Sequence, residues 1–253
     1  MSGFTALVLA GSRGPSDPVA VAAGVSHKAL AEVGGVPMLV RVVRALAAAG
    51  AARVGVSIER PDVVADLAEL HAIAGCAVEA IQADATPSLS VRTAMDRLGA
   101  PLLVTTGDHA LLRPEWISWF LEHLPDADVV VSAATAEIIL AAQPDTRRTW
   151  LRFADLRISG CNLFYLRNPA AEGAVDAWRR FEAHRKDPLK LAQMLGPGAL
   201  VRYAAGTLTL DDALARLGRL AGCRAGLVLM PFGEAAIDVD KPSDLELARR
   251  LAS

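Results

Sequence analysis

The sequence predicts one α/β domain with a mostly parallel, twisted sheet flanked by helices. Three observations predict it. Short apolar runs alternate with helical spacing of apolar residues through the first 135 residues, and repeated βα units build a parallel sheet covered on both faces. The 253 residues suit a single core, and no linker, repeat or low-complexity segment divides them. Loops with glycine follow two of the apolar runs, at the strand ends where such sheets gather ligands.

Taken in order, strands are predicted over Ala6–Leu9, Val54–Ile58, Val78–Ile81, Leu102–Thr105 and Val129–Val131. Each is too short for a helix and too apolar for a surface loop. Pro37–Ala49, Asp62–His71, Ser90–Leu98 and Pro114–His123 carry helical periodicity between them. The ligand rule then selects three loops, residues 10–28, 83–90 and 106–113. The second half is less regular. Cys161–Leu166 reads as a strand, and Ala170–His184, Pro188–Leu195 and Asp211–Leu220 read as helices. Leu227–Met230 and Ala236–Val239 are short strand candidates, and Pro242–Leu251 closes the chain as a helix. Residues from about 168 to 222 are expected to form a helical insertion over the site.

A formal net charge of −2 argues against a dedicated nucleic-acid binder. Apolar residues make up 53% of the chain, yet none of the runs approaches the roughly 18 residues of a membrane span. The opening Met1-Ser2-Gly3-Phe4 lacks a basic segment ahead of an apolar one, so a signal peptide is not expected. Cys76, Cys161 and Cys223 have no metal-type spacing and read as buried, reduced thiols of a cytoplasmic protein. A monomer or homodimer is expected.

Chemistry concentrates in three places. The first is Leu9-Ala10-Gly11-Ser12-Arg13-Gly14 with Lys28 beyond it. Glycines let backbone N–H groups approach phosphate oxygens, and Arg13 and Lys28 add positive charge. Neither Gly-x-Gly-x-x-Gly nor Gly-x-x-x-x-Gly-Lys-Ser/Thr is present. The second is Gly107-Asp108, where a strand end projects a carboxylate into the crevice. That carboxylate suits Mg²⁺, and it also suits an ordinary turn. The third is Asp238-Val239-Asp240-Lys241-Pro242-Ser243-Asp244. On a strand Asp238 and Asp240 would share a face and repel without a cation beside them. Pro242 and Asp244 equally suit a strand-to-helix junction.

Weaker signals surround these. Ser88 and Ser90 precede or open a helix, where hydroxyls and N–H groups bind a base or ribose; Ser90 is equally an N-cap. Arg147, Arg148 and Arg152 crowd a loop beside Trp150 and Phe153, and suit either phosphate or solvent. His27 and His109 lie near the loops without metal-ligand spacing, so ordinary polar roles are expected. The basic helix bearing Trp178, Arg179, Arg180 and Phe181 reads first as a solvated face, with an oligomer contact or a lid over an anionic acceptor as the alternatives.

The opening loop with Lys28, the Ser88–Ala94 segment, Gly107-Asp108, Gly160–Phe164 and Asp238–Leu245 occur in an order that resembles one family across nearly the whole chain. It is the nucleotidyltransferase family that includes the molybdenum-cofactor guanylyl- and cytidylyltransferases, a Rossmann-like fold shared with nucleotide-sugar glycosyltransferases. The resemblance implies transfer of a nucleoside monophosphate from a nucleoside triphosphate, CTP or GTP, to a phosphorylated small-molecule acceptor. Residues 1–135 become the nucleotide-binding half and 136–253 the acceptor-binding half. Leu9 to Gly14, Lys28, Ser88, Ser90 and Gly107 would bind nucleotide. Arg147, Arg148, Arg152, Asn162 and Lys241 would bind acceptor. Asp108 and Asp240, supported by Asp238, would hold Mg²⁺ or Mn²⁺. Arg13, Lys28, Asp108 and Asp240 would carry the catalysis. Ser12, Pro15, Ala110 and Lys241 depart from the family pattern. A glycosyltransferase using a nucleotide sugar and a non-catalytic nucleotide-binding protein are the alternatives.

Overall fold

The structure is a computed structural model that describes residues 3–146, 148–183, 194 and 196–252. Ten strands are found among them: β1 (Phe4–Leu9), β2 (Glu32–Val33), β3 (Val36–Pro37), β4 (Ala51–Ile58), β5 (Ala77–Gln82), β6 (Leu102–Thr106), β7 (Val129–Thr135), β8 (Leu151–Arg152), β9 (Arg157–Leu166) and β10 (Ala225–Leu229). The main sheet runs β10-β7-β9-β6-β1-β4-β5, with β8 added to β9. All pairings on that path are parallel except those of β9. The expected mostly parallel α/β sheet is therefore present.

Side-chain alternation explains why helices cover both faces. In β1, Ala6 and Val8 join one core, with Val40, Val43, Ile117 and Phe120 from the Met38–Ala48 and Pro114–Glu122 helices. Leu7 joins the opposite core, with Val91 and Met95 of the Pro87–Leu98 helix and Val175 of the Glu172–Ala183 helix. In β6, Leu103 faces the first core, and Leu102 and Val104 face the second.

β2 and β3 form a hairpin joined by Gly34 and Gly35, with φ of +60° and +72°. Two consecutive left-handed residues make the tight turn that suits hairpin twist, and glycine adopts them without a Cβ penalty.

Several expectations are corrected. Ala236–Val239 is not a strand: a 3-10 turn spans Gly233–Ala236, and Val239 N–H donates to the Asp108 carbonyl at 3.1 Å. The segment crosses the end of β6 instead of pairing along it, so Asp238 and Asp240 share no strand face. The fifth helix of the chain starts at Pro87, before Ser90, because the Thr86 hydroxyl accepts from Leu89 N–H and Pro87 suits the first turn. Asp62–His71 splits at Leu67 into Pro61–Asp66 and Ala68–His71. Helices at Pro18–Ala23 and Ala136–Ala142 are additions to the sequence reading. In the expected insertion, helices span Glu172–Ala183, Pro197–Ala204 and Leu210–Ala221. Apart from Met194, the helix expected at Pro188–Leu195 lies outside the described residues. Of the cysteines only Cys161 is buried, and burial pushes its thiol up to about 12. No described helix is long and apolar enough to cross a membrane.

Asp128 ties three strand ends together at the edge of the sheet remote from the glycine loops. Its carboxylate accepts from Arg224 N–H at 2.8 Å and Asn168 Nδ2 at 2.9 Å, and its carbonyl accepts from Arg167 N–H. The Arg224 N–H, then Asn168, hold its carboxyl down to about 2. A depressed folded pKa stabilises the fold above the unfolded value, and that stabilisation is lost as pH falls through the folded value. Asp128→Asn should therefore lower Tm at pH 6, and the gap to wild type should close as pH falls from about 4 toward 2.

Candidate active site

β1 has β4 on one side and β6 on the other, so chain order reverses at β1. Ligands bind at such a switch point, outside the carboxyl ends of the strands. The loop from Ala10 to Gly14 leaves β1 there, and Gly107-Asp108 leaves β6. The two loops touch: Gly107 N–H donates to the Leu9 carbonyl at 2.8 Å. A Cβ on Gly107 would stand 3.1 Å from Ala10 Cβ and 3.2 Å from Ala10 Cα. A side chain at 107 would therefore press on Ala10 of the opening loop. Gly107→Ala should lower Tm by about 2–4 °C and displace the opening loop, which a raised KM for the nucleotide would report.

The opening loop has a fixed shape. Ala10 N–H donates to the Ser57 carbonyl, Ser12 N–H to both Glu59 carboxylate oxygens at 3.2 Å, and Arg13 N–H to Asp17 at 3.3 Å. Gly11 and Gly14 N–H groups have no partner among the described residues, and Gly14 holds φ +78°. The amides of this loop left to meet a ligand are therefore fewer than the whole Ala10–Gly14 run. Asp17 also caps the Pro18–Ala23 helix through Val19 N–H and Ala20 N–H. Arg13 is exposed.

Lys28 sits opposite this loop in a 3-10 turn, Lys28–Leu30. Its Nζ lies 2.6 Å from Asp108 Oδ2 and 3.6 Å from Asp240 Oδ1, with only 11% of the side chain exposed. Burial alone would lower the ammonium pKa. The Asp108 carboxylate, reinforced by Asp240 and Asp17, outweighs burial and raises it. Residues 28, 108 and 240, far apart in sequence, converge on one point. No group of three or more His, Cys, Asp and Glu side chains poised for a metal is found among the described residues. Two carboxylates beside a polyphosphate are the usual donor set for Mg²⁺, which completes its shell with phosphate oxygens and water. Asp108 and Asp240 fit that requirement.

Asp240 is also on the rim of a cleft of about 790 Å³ that includes Arg148, Asn162 and Lys241 in its lining. Arg148 is 15% exposed; its Nη2 lies 3.2 Å from Asp238 Oδ1 and its Nε donates to Ser159 Oγ. Asn162 Nδ2 donates to Asp238 Oδ2 at 3.4 Å. Asn162 has φ +51°, in the left-handed region that asparagine tolerates best after glycine. It lies where β9 breaks register with β7, between Gly160 and Phe164, a bulge of the kind that re-aims a side chain. Both Asp238 oxygens are thus engaged on the cleft side.

Other expected residues land elsewhere. Ser88 Oγ is buried and donates to Glu182 at 2.5 Å. Ser90 Oγ, also buried, accepts from Asp84 N–H. Arg152 is exposed, and its N–H donates to Tyr203 Oη; its neighbour Leu151 lines the cleft instead. Arg147 lies outside the described residues.

Sequence reasoning missed Glu59, Asp17 and the part played by His27. Glu59 follows directly on β4, so the strand-end rule that selected the other loops applied to it as well. His27 Nε2 meets Glu59 Oε1 at 3.0 Å, and Nδ1 accepts from Ala29 N–H at 3.1 Å. Ser12 Oγ, Ser57 Oγ and Thr106 Oγ1 are buried with no hydrogen-bond partner among the described residues. All three sit just past or at the carboxyl ends of β1, β4 and β6.

A glycine-containing loop faces a lysine between two carboxylates at the switch point of a parallel, Rossmann-like sheet, an arrangement suited to a phosphate-handling enzyme. Residues 6–171 match the MobA-like NTP transferase domain. The chain belongs to that family and is a nucleotidyltransferase. It is 29% identical over 240 residues to a 3-deoxy-manno-octulosonate cytidylyltransferase of Nitrobacter hamburgensis, covering 88% of this chain and 86% of that protein. A structure described as a hypothetical transferase from Thermus thermophilus superposes with TM-score 0.80 at 30% identity, covering 96% of this chain and 99% of that one. A 4-diphosphocytidyl-2C-methyl-D-erythritol synthase from Anaerococcus prevotii shares the fold, with TM-score 0.59 at 12% identity over 99% of this chain and 96% of that one.

Proposed function

We propose that this enzyme transfers CMP from CTP to a phosphorylated small-molecule acceptor, releasing pyrophosphate. The observation that carries the reading is the convergence of Asp108 and Asp240 on the Lys28 ammonium beside the anion loop. CTP is chosen over GTP on the similarity to a cytidylyltransferase.

The acceptor phosphate oxygen attacks the α-phosphorus, a new P–O bond forms, and the bond to the β-phosphate oxygen breaks in line. A phosphate monoester loses its second proton near pH 6, so the nucleophile arrives charged and needs no protein base. The protein's work is positioning and charge neutralisation. Gly11 and Gly14 N–H groups and Arg13 bind the triphosphate. Lys28 leaves its carboxylate partners to neutralise charge growing on the departing pyrophosphate. Asp108 and Asp240 would hold Mg²⁺, or Mn²⁺ in its place, which supplies Lewis-acid polarisation of the phosphate oxygens. Arg148 and Lys241 receive the acceptor's anionic group in the cleft, with Asn162 and Asp238 orienting the guanidinium.

A pyrophosphate-release screen of ATP, CTP, GTP and UTP with Mg²⁺, against phosphorylated sugars, polyols, pterins and acids, tests this directly. CTP-dependent release that requires an acceptor is expected; absence of acceptor-dependent release with any of the four nucleotides would overturn it. Within that assay Arg148→Ala should raise the acceptor KM about 10-fold or more, as loss of a charge-assisted bidentate contact does, and leave the KM for CTP within about 2-fold.

A further inference from the structure

We propose that Glu59 is a positioning residue that joins the two limbs of the triphosphate cradle. The inference rests on the nucleotidyl-transfer reading above. One limb is the Ala10–Gly14 loop and the other is the Lys28 turn; 13 residues of chain separate Gly14 from Lys28, with the Pro18–Ala23 helix between them. Glu59, from the end of β4, touches both. Its two oxygens accept Ser12 N–H at 3.2 Å, and Oε1 also accepts from His27 Nε2 at 3.0 Å.

The contact with His27 reaches Lys28 through a second hydrogen bond. His27 Nδ1 accepts Ala29 N–H at 3.1 Å and caps the turn that begins at Lys28. An acceptor at Nδ1 requires the ring proton at Nε2, which is the atom that meets Glu59. Glu59 therefore selects the tautomer that caps the turn, a relation familiar from carboxylates behind metal-ligating histidines. The His27 side chain is only 2% exposed, so its orientation is set by these two bonds and its packing.

A carboxylate beside a triphosphate is electrostatically unfavourable, so its presence asks for a return. The return is geometric. With Ser12 N–H held by Glu59 and Arg13 N–H by Asp17, the loop presents the N–H groups of Gly11 and Gly14 and the unpartnered Ser12 hydroxyl. One oxygen, Oε1, accepts from both limbs: Ser12 N–H on the loop and His27 Nε2 beside the Lys28 turn. A Gln keeps that oxygen and loses the charge.

The test uses the full-length enzyme, with Mg–CTP and inorganic triphosphate as probes in calorimetric titrations, and the variants Glu59→Ala and Glu59→Gln. Glu59→Ala is expected to raise Kd about 10-fold for both probes, with the acceptor KM within 2-fold of wild type. Glu59→Gln is expected within 3-fold of wild type for both. Tm of each variant is recorded so that a folding defect is seen separately. Unchanged or tighter triphosphate binding by a folded Glu59→Ala would overturn the inference and make Glu59 a plug instead of a clamp. Equal loss in Glu59→Gln would also overturn it, by assigning the effect to charge. Failure of the wild type to bind any of the four nucleoside triphosphates would instead overturn the underlying reading, and this inference with it.

Discussion

Asp108→Ala is expected to lower kcat by about 10³-fold or more, the scale seen when a group that stabilises transition-state charge is removed. The fold should survive. The carboxylate's polar contacts are with Lys28, and the backbone carbonyl that receives Val239 N–H is untouched. Tm should therefore stay within a few degrees of wild type. Asp108→Asn keeps the volume and one acceptor oxygen but loses the charge, and should be nearly as inactive. Turnover at wild-type level in either variant would remove Asp108 from the chemistry. Chelation of divalent metal should mimic the loss in the wild type and be reversed by added Mg²⁺.

The second large effect belongs to Lys28. Lys28→Met should lower kcat/KM about 10²- to 10³-fold, with most of the loss in kcat, because in the proposed reaction the ammonium acts on charge that develops as pyrophosphate leaves. The same change exposes a second consequence of the geometry. Lys28 neutralises two carboxylates that converge on it, so its removal leaves like charges facing each other. The variant should melt lower than wild type in chelator, and Mg²⁺ should raise its Tm more than it raises that of the wild type. Lys28→Arg should not restore activity, since a planar fork does not replace a compact point charge in a site this enclosed. An equal Mg²⁺ response in the two proteins would contradict a shared carboxylate pair.

The sheet and its strand ends were legible because their signals are local. A three- to five-residue, mostly apolar run bounded by helical patterns reads as a buried strand, and glycine next to aspartate at its end points to the crevice. β1, β4, β5, β6 and β7 follow from that pattern, as does the placing of Asp108. What failed were features set by tertiary contact. Ala236–Val239 has strand composition, yet its Val239 N–H goes to Asp108 and not to a neighbouring strand. Ser88 has the look of a helix-start hydroxyl, but its partner, Glu182, is 94 residues away. Glu59 carried a positional signal, the end of β4, and no composition signal. The left-handed Asn162 is set by the register break between β7 and β9, which no single-chain pattern reveals.

Two carboxylates and one lysine are here assigned to metal-dependent nucleotidyl transfer, and product analysis tests that assignment most directly. The enzyme would be incubated with CTP, Mg²⁺ and each acceptor of the panel, and products resolved by mass. One pyrophosphate for each CMP-bearing acceptor, formed only with divalent metal present and lost in Asp108→Ala, is the predicted result. Release of a nucleoside diphosphate, or product formation undiminished by chelator and by Asp108→Ala, would contradict it.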